Sequence, residues 1–193
     1  MKTYVRLVLI ALSLVGASVH ASTLRLEELM ATLAAIPSGE ARFTEKRHVL
    51  QLDQTLESSG RLSFTAPDIF VRETLKPRQE KLAVSGNTVT MSQGSRRRTL
   101  ALDATPEAQV IVEAIRGTLT GNREVLERHF TVQLDGTLAR WTLELVPRDA
   151  RLRGQVARVG LSGERAAVRE VQILMTDGDR SVMQIEPLTP APR

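Results

Sequence analysis

One stretch of the sequence, Leu56–Val71, constrains the fold more than any other. Leu62 and Phe64 stand two positions apart, so both side chains point to the same face of a β-strand. Pro67 then interrupts the run, because proline has no N–H group to donate to a neighbouring strand. The segment Ile69–Val71 resumes the β-rich pattern. The stretch therefore predicts a strand, a turn and a second strand, and this pattern recurs along most of the chain.

Residues 1–21 have the pattern of a signal peptide for export. A positively charged start is followed by the apolar run Leu7–Val15, which is too short to span a bilayer. Val19–Ala21 fits the rule of small residues before a cleavage site, so Ser22 is the expected first residue of the mature protein. A serine in that place also predicts that the mature protein is not itself lipidated. The alternative is an uncleaved membrane anchor.

The remaining residues, 22–193, have the length of one domain with a full core. The formal net charge of the full chain is +4, and the loss of Lys2 and Arg6 lowers it by two, to +2. Few aromatic residues and no basic stripe accompany this weak charge, so nucleic acid is not an expected partner. No later run approaches the apolar length of a membrane helix, and we expect an exported, soluble protein.

The residue types that usually carry out catalysis are sparse in this chain. It has no cysteine, which excludes disulfides and thiol chemistry. His48 and His129 have no metal-like spacing around them. Glu45 lies near His48, and Glu127 lies near His129. One interpretation is that these pairs carry out acid–base catalysis. The other is that both histidines lie on the surface at the ends of strands. Because nucleophile, phosphate-loop and metalloprotease motifs are missing, we expect no enzyme activity, no metal and no cofactor.

Three segments have the apolar spacing or the end signals of helices. Leu24–Ile36 has apolar residues at intervals of three and four, as on one helical face. Thr105–Pro106 is a helix-start signature, and Ala108–Arg116 follows with an apolar stripe that Gly117 can end. Asn122–Arg128 predicts a further short helix.

Short strands with turn signals between them fill the rest of the chain. Their links are too short for parallel crossovers, so the sheet is expected to be antiparallel. In the last strand Val182 is out of phase with Met183 and Ile185, which leaves its register open. Besides the pair in Leu56–Val71, the predicted strands are Ala41–Lys46, Glu80–Ser85, Thr88–Ser92, Arg96–Leu102, Phe130–Leu134, Trp141–Leu145, Ala157–Leu161, Val168–Met175 and Ser181–Glu186.

A long antiparallel sheet buries its apolar face by curling and by taking a cover of helices. Two short helices cover such a sheet without filling it, which predicts an apolar cavity of the kind that binds ligands. An acyl chain would gain roughly 0.8 kcal/mol per buried methylene there. The alternative is an ordinary dry core. The candidate lining residues are the apolar side chains of the strands and of the helical lid: Phe43, Leu62, Phe64, Phe70, Leu82, Val84, Val89, Met91, Ile111, Ile115, Trp141 and Leu143.

The run Arg96–Arg98 lies between a glycine turn and a strand, so we expect it to be exposed. One interpretation is contact with anionic headgroups or with an acidic partner surface. The other is a solvated hairpin edge whose charges discourage edge-to-edge pairing.

Four motifs follow one another in a fixed order. The first motif is Ala41–Lys46, which follows the first helix. The next two are Gly60–Leu62 and Pro67–Phe70. The fourth, Val84–Val89, contains a Gly-Asn hairpin turn. This ordered set resembles the LolA-type outer-membrane lipoprotein carrier family, and the similarity extends over nearly all of the mature chain. The helical insertion after Leu102 falls where that family has its lid.

The resemblance implies an α+β, mainly β fold, a curled antiparallel sheet of about ten or eleven strands forming an incomplete, half-open β-barrel under a helical lid. It implies a periplasmic carrier that shields the acyl chains of a lipoprotein or glycolipid cargo. An inner-membrane exporter would be the donor and an outer-membrane protein the acceptor. Phe70 matches a cargo-contacting position, Val110–Ile115 matches lid elements, and no chemical reaction is implied. We expect a monomer.

Two positions depart from the family pattern. Ala66 stands where lipoprotein carriers have an arginine that holds the lid closed, and Arg72 stands where an aromatic residue is expected. Both departures favour a divergent member that handles another acylated envelope molecule, similar to proteins linked to glycolipid or aryl-polyene export. One alternative is a periplasmic sensor or scaffold of the same shape, whose groove binds a protein segment. A hydrolase is the other.

Overall fold

The computed structural model describes residues 24–188, so the predicted signal peptide lies outside the described residues. The helices are α1 (Leu26–Ala34), α2 (Pro106–Leu119), α3 (Arg123–His129) and α4 (Ala150–Arg153), with 3₁₀ helices at Leu50–Leu52 and Leu102–Ala104. The strands are β1 (Ser38–Val49), β2 (Gln54–Thr65), β3 (Ile69–Lys76), β4 (Glu80–Ser85), β5 (Thr88–Gln93), β6 (Arg96–Ala101), β7 (Phe130–Thr137), β8 (Arg140–Pro147), β9 (Val156–Glu164), β10 (Ala167–Met175) and β11 (Arg180–Pro187).

The described strands form one antiparallel sheet of eleven strands in the order β6-β5-β4-β3-β2-β1-β11-β10-β9-β8-β7. The first and last strands, β1 and β11, pair with each other in its middle, from Ala41 opposite Pro187 to His48 opposite Arg180. The outer strands, β6 and β7, do not pair with each other in the described chain. The sheet is therefore an incomplete barrel, and the predicted α+β, mainly β fold with a helical lid is confirmed.

Strands β1 and β2 form a hairpin that is longer than the sequence pattern predicts. The predicted strand Ala41–Lys46 extends to Ser38–Val49, because β1 has a paired neighbour on each side, β2 and β11. Its backbone N–H and C=O groups thus have partners whatever side chains they carry. A 3₁₀ turn at Leu50–Leu52, followed by Asp53 with a φ of 47°, joins the two strands.

The hydrophobic core is unevenly distributed over the sheet. The larger part lies between helices α1, α2 and α3 and strands β7–β10, where Leu29, Ala114 and Leu126 are fully buried. A smaller cluster around Val84 and Val89 lies on the other half of the sheet. The inner face of β2–β5, which is the face turned towards the helices, is therefore less completely covered than that of β8–β10.

Helix α2 begins where the sequence predicts but continues further. Pro106 is its first residue, although the side chain of Thr105 forms no capping hydrogen bond. Gly117 does not end the helix, which runs to Leu119. A Cβ atom on Gly117 would lie 2.6 Å from a methyl carbon of Leu126, so the side chain of Leu126 would have to shift if a larger residue replaced this glycine. No helix in the described part of the chain combines the length and the apolar character needed to cross a bilayer.

The end of strand β6 differs from the prediction. The strand stops at Ala101, and Leu102 begins a 3₁₀ helix instead. Leu102 is buried, whereas Leu100 is 46% exposed. The prediction that this strand continues to Leu102 is therefore wrong, since the chain turns towards α2 at this point.

Candidate binding cavity

A cavity of about 910 Å³ lies between the inner face of the sheet and helix α2. Its walls come from β1–β5, β9–β11, α2 and the segment that joins α1 to β1. The cavity borders the main core, and Leu161, Val168 and Val171 belong to both. Its volume is within the range of pockets that bind small ligands.

The cavity-facing side chains of β2–β5 form two rows, because residues opposite each other in register share a face. In strand order, the first row is Phe64, Phe70, Val84 and Val89. In the same order, the second row is Leu62, Arg72, Leu82 and Met91. All eight residues line the cavity, and only Arg72 interrupts the apolar surface.

Phe64 and Phe70 form the aromatic part of this wall. Their ring centroids are 5.0 Å apart and the ring planes make an angle of 27°. The turn around Pro67 places the two residues opposite each other on β2 and β3. Stacked aromatic pairs of this kind contribute roughly 0.5–1.5 kcal/mol beyond the area that they bury.

Helix α2 provides the facing wall. Ile111, Ile115 and Leu119 are one turn apart and line the cavity. Val110 and Ala114 of the same helix belong to the main core. One stripe of side chains on α2 therefore packs in the main core, and the adjacent stripe covers the cavity.

Most of the predicted lining residues are brought together by the structure. Whether these residues contact a ligand stays a prediction. Those on the cavity wall are Leu62, Phe64, Phe70, Leu82, Val84, Val89, Met91, Ile111 and Ile115.

The other three predicted residues, Phe43, Trp141 and Leu143, do not line the cavity. Phe43 is on the inner face of β1, but the guanidinium of Arg72 lies 4.6 Å above the centre of its ring and covers it. Trp141 and Leu143 are fully buried in the main core, because β8 lies beneath the helices. The indole N–H of Trp141 donates to the carbonyl of Arg165 at 2.9 Å. The alternation of side chains along a strand correctly predicts that these residues lie on the inner face of the sheet. It does not predict which part of that face the helices leave uncovered.

A polar cluster that sequence reasoning did not identify lies on the inner face, beside the apolar rows. It consists of Glu45, Ser58, Arg72 and Ser181, and we call it the Glu45 cluster. Arg72 Nη2 donates to Glu45 Oε2 at 2.5 Å and to Ser58 Oγ at 3.1 Å. Ser58 Oγ donates to Glu45 Oε2 at 3.1 Å, and Ser181 Oγ donates to Glu45 Oε1 at 2.5 Å. Four strands, β1, β2, β3 and β11, thus meet at one carboxylate.

The surroundings of Glu45 favour its charged form. Burial alone raises the pKa of this carboxyl group, but the hydrogen bond and the positive charge of Arg72 oppose that effect, and Ser181 and Ser58 add to them. The net result is a pKa below the usual glutamate value of 4.5. Glu45 and Arg72 therefore form a compensated ion pair on the cavity wall.

A second ion pair lies further along β1. Arg47 Nη2 is 3.3 Å from Asp179 Oδ2, and both residues line the cavity. Asp179 also accepts the backbone N–H of Leu50 at 2.9 Å, which connects β11 to the end of the β1–β2 hairpin. This end of the cavity is polar, whereas the end beneath α2 is apolar.

Neither histidine in the described part of the chain belongs to this site. His48 and His129 do not line the cavity. Among residues 24–188, no group of three or more histidine, cysteine or acidic side chains is arranged to hold a metal ion.

The sequence matches one family model over most of its length. The family is described as outer membrane lipoprotein carrier protein LolA-like, and the match covers residues 18–185. No curated protein sequence matches the chain.

Several solved structures are similar in fold. The LolA superfamily protein NE2245 from Nitrosomonas europaea is 9% identical, with 88% of this chain and 96% of that chain covered and a TM-score of 0.46. LprF from Mycobacterium bovis is 11% identical, with coverages of 87% and 94% and a TM-score of 0.39. The MucA/MucB complex from Pseudomonas aeruginosa is 15% identical, with coverages of 87% and 58% and a TM-score of 0.37. Because these TM-scores lie below 0.5, the family assignment rests on the sequence match.

Proposed function

Since this chain belongs to the LolA-like family of outer membrane lipoprotein carrier proteins, we propose that it is a periplasmic carrier of acyl chains. The cargo is a lipoprotein or another acylated envelope lipid, and the cavity shields its acyl chains from water during transfer towards the outer membrane. The observation that carries the proposal is the cavity of about 910 Å³ with its largely apolar wall. A closed core of the same residues would have no room for a ligand.

The composition of the wall fits acyl chains. Burial of a methylene group contributes roughly 0.8 kcal/mol and needs no specific partner, so flexible chains bind to an apolar wall without a fixed pose. The stacked rings of Phe64 and Phe70 add a broad apolar surface. Ile111 and Ile115 of α2 close the opposite side. The protein acts in this proposal as a monomer, without a cofactor and without a covalent step.

The partners follow from the direction of transfer. A carrier of this kind takes its cargo from an inner-membrane exporter and gives it to an outer-membrane acceptor. The two departures at Ala66 and Arg72 favour a cargo other than the usual lipoprotein anchor, such as a glycolipid. Nucleic acid has no role in the proposal.

Native mass spectrometry of the mature protein, purified from an envelope fraction, tests this function. We expect a bound species that extraction identifies as an acylated lipid or a lipoprotein anchor. A protein that is empty and also takes up no added lipid would contradict the proposal.

A second candidate function is a scaffold that binds a protein segment. The observation in its favour is strand β6, whose six residues are all exposed and whose outer edge has no paired strand in the described chain. Arg96 and Arg98 lie opposite Gln93 and Met91 of β5, so an added acidic strand would find positive charge there. Co-purification of a defined acidic segment that is lost on substitution of these arginines, together with an empty cavity, would favour the scaffold.

A further inference from the structure

Arg72 has a donor group that the described chain does not use. Its Nη2 donates to Glu45 and Ser58, and its Nε donates to Thr74 Oγ1 at 3.4 Å. A guanidinium carries five N–H donors, and two of them are on Nη1. No acceptor among residues 24–188 takes a hydrogen bond from Nη1.

This donor belongs to a rigid part of the cavity wall. Arg72 is opposite Leu62 on β2 and Leu82 on β4, and all three line the cavity. The side chain is 30% exposed and lines the cavity. The ring of Phe43 beneath it and the carboxylate of Glu45 beside it fix the plane of the guanidinium. A fixed donor between apolar side chains suits a single acceptor atom in a ligand that is otherwise apolar.

The charges on the wall decide what kind of acceptor fits. Arg72 is already compensated by Glu45 at 2.5 Å, and Arg47 by Asp179 at 3.3 Å. The remaining cation, Arg180, is exposed. Acidic residues outnumber the arginines on the wall, and a ligand carboxylate beside Arg72 would meet a guanidinium that Glu45 already compensates. A neutral carbonyl accepts from Nη1 without bringing a charge out of water.

We propose that the cavity selects acyl chains joined through an ester or an amide over free fatty acids, and that Arg72 Nη1 donates to the carbonyl at that linkage. In this proposal Arg72 is a specificity-determining residue. Glu45 determines which acceptor is preferred, because it neutralises the charge of Arg72. The proposal rests on the proposed function, because it specifies the class of acyl cargo in the same cavity.

Displacement of the apolar fluorescent probe 1-aminoanthracene from the mature protein tests the proposal. The competing ligands are N-methyldodecanamide, dodecanoate and an alkane of similar length, at about pH 8, where a carboxylate is ionised. In the unmodified protein we expect the amide to bind about tenfold more tightly than dodecanoate, because the carboxylate must leave water beside a guanidinium that is already compensated. This comparison needs no variant and does not depend on how a variant folds.

Two variants assign the effect to the Glu45 cluster. The double variant Glu45→Gln/Arg72→Met removes both charges together, so no unpaired charge stays buried. It should lower affinity for the amide about tenfold and change affinity for the alkane less than twofold. The single variant Glu45→Gln leaves the guanidinium uncompensated, and it should reverse the preference in favour of dodecanoate.

The outcomes separate the two proposals. Tight binding of all three ligands with no preference for the amide, or a preference that the double variant retains, would overturn the role of Arg72 and leave the carrier function standing. Failure of the probe and of every ligand to bind would overturn both. Tighter binding of dodecanoate by the unmodified protein would show that the cavity selects free fatty acids.

Discussion

Arg116 of α2 donates from Nη2 to the backbone carbonyl of Gly86 at 2.8 Å, and this bond joins the helix that covers the cavity to the turn between β4 and β5. Glu113, one helical turn earlier, accepts from Arg116 Nη1 at 2.8 Å and holds the guanidinium in place. Both side chains are largely buried, so water competes only weakly for these bonds. This bond therefore holds α2 to the sheet in addition to the packing of Val110 and Ala114 in the main core.

Replacing Arg116 with methionine should loosen α2 while it keeps the apolar stem of the side chain. We expect a loss of roughly 1–3 kcal/mol in the free energy of unfolding, since a hydrogen bond from a charged group is lost. The backbone amides of α2 after Pro106 should exchange hydrogen for deuterium faster, which mass spectrometry measures. Arg123→Met is the matched control, because Arg123 forms exposed ion pairs with Glu27 and Glu127. Equal exchange in the two variants would show that the bond to Gly86 does not hold the helix.

Phe70→Glu should abolish binding of acyl chains. The substitution places a carboxylate in the row of apolar side chains next to Phe64, where an acyl chain cannot solvate it. We expect affinity for an acyl ligand to fall at least about tenfold, measured by displacement of a fluorescent probe. Ile69→Glu is the control, since Ile69 is the preceding residue of the same strand, is 43% exposed and does not line the cavity. Normal cargo binding by a folded Phe70→Glu protein would exclude this wall as the binding site.

The stability of the protein should depend on pH through Glu45. Its folded-state pKa lies below 4.5, so its contribution is complete above that value and is lost as the pH falls through the lowered pKa. We expect Glu45→Gln to be less stable than the unmodified protein at neutral pH, with a difference that shrinks on acidification. Urea denaturation of the two proteins at several pH values measures the difference in stability and its change with pH.

Glu73→Gln is the control for this pH dependence. The pKa of Glu73 is also lowered, by a hydrogen bond from Lys81 and by its charge, but both partners are exposed to solvent. Surface ion pairs contribute about 0–1 kcal/mol, so this variant should show a smaller change with pH. A larger effect at Glu73 than at Glu45 would show that burial does not strengthen the Glu45 cluster.

Gly60→Ala should strongly destabilise the sheet. A Cβ atom at this position would lie 1.9 Å from the carbonyl oxygen of Glu73 and 3.0 Å from a ring carbon of Phe43. The backbone of β2 or β3 must move to relieve this overlap, at a cost of roughly 1–3 kcal/mol or more. Gly39→Ala is the matched control, since nothing lies within 4 Å of a Cβ atom there. Thermal unfolding measures the midpoint temperatures of the two variants. Similar midpoints would contradict the close approach of β2 and β3 at Gly60.

Sequence reasoning was most accurate where structure depends on neighbours along the chain. The hairpins around Pro67 and Gly86 follow from local turn chemistry, and the alternation between them placed the apolar rows of β2–β5 correctly. The four-residue helix α4 was missed, because one turn is too short for a periodic pattern. Asp149 caps its start, since its carboxylate accepts from the N–H groups of Arg151 and Leu152.

Features that depend on distant parts of the chain were not predicted. Ser181 reaches Glu45 across 136 positions of sequence, and no local pattern indicates that contact. One signal was available, since Glu45 continues the alternation of Ala41 and Phe43 and therefore falls on the inner face. A charged residue on an apolar face needs a partner, but the sequence does not say which of many arginines provides it.

The pairing of β1 with β11 has a consequence for biosynthesis. The strand that is made first and the strand that is made last are neighbours at the centre of the sheet, with Arg42 opposite Glu186. Contacts between such distant segments form late, because the whole intervening chain must be in place before they can close. A polypeptide that emerges with its N-terminus first therefore has no continuous cavity wall until β11 has emerged. The architecture delays the ability to hold a ligand until that strand has joined the sheet.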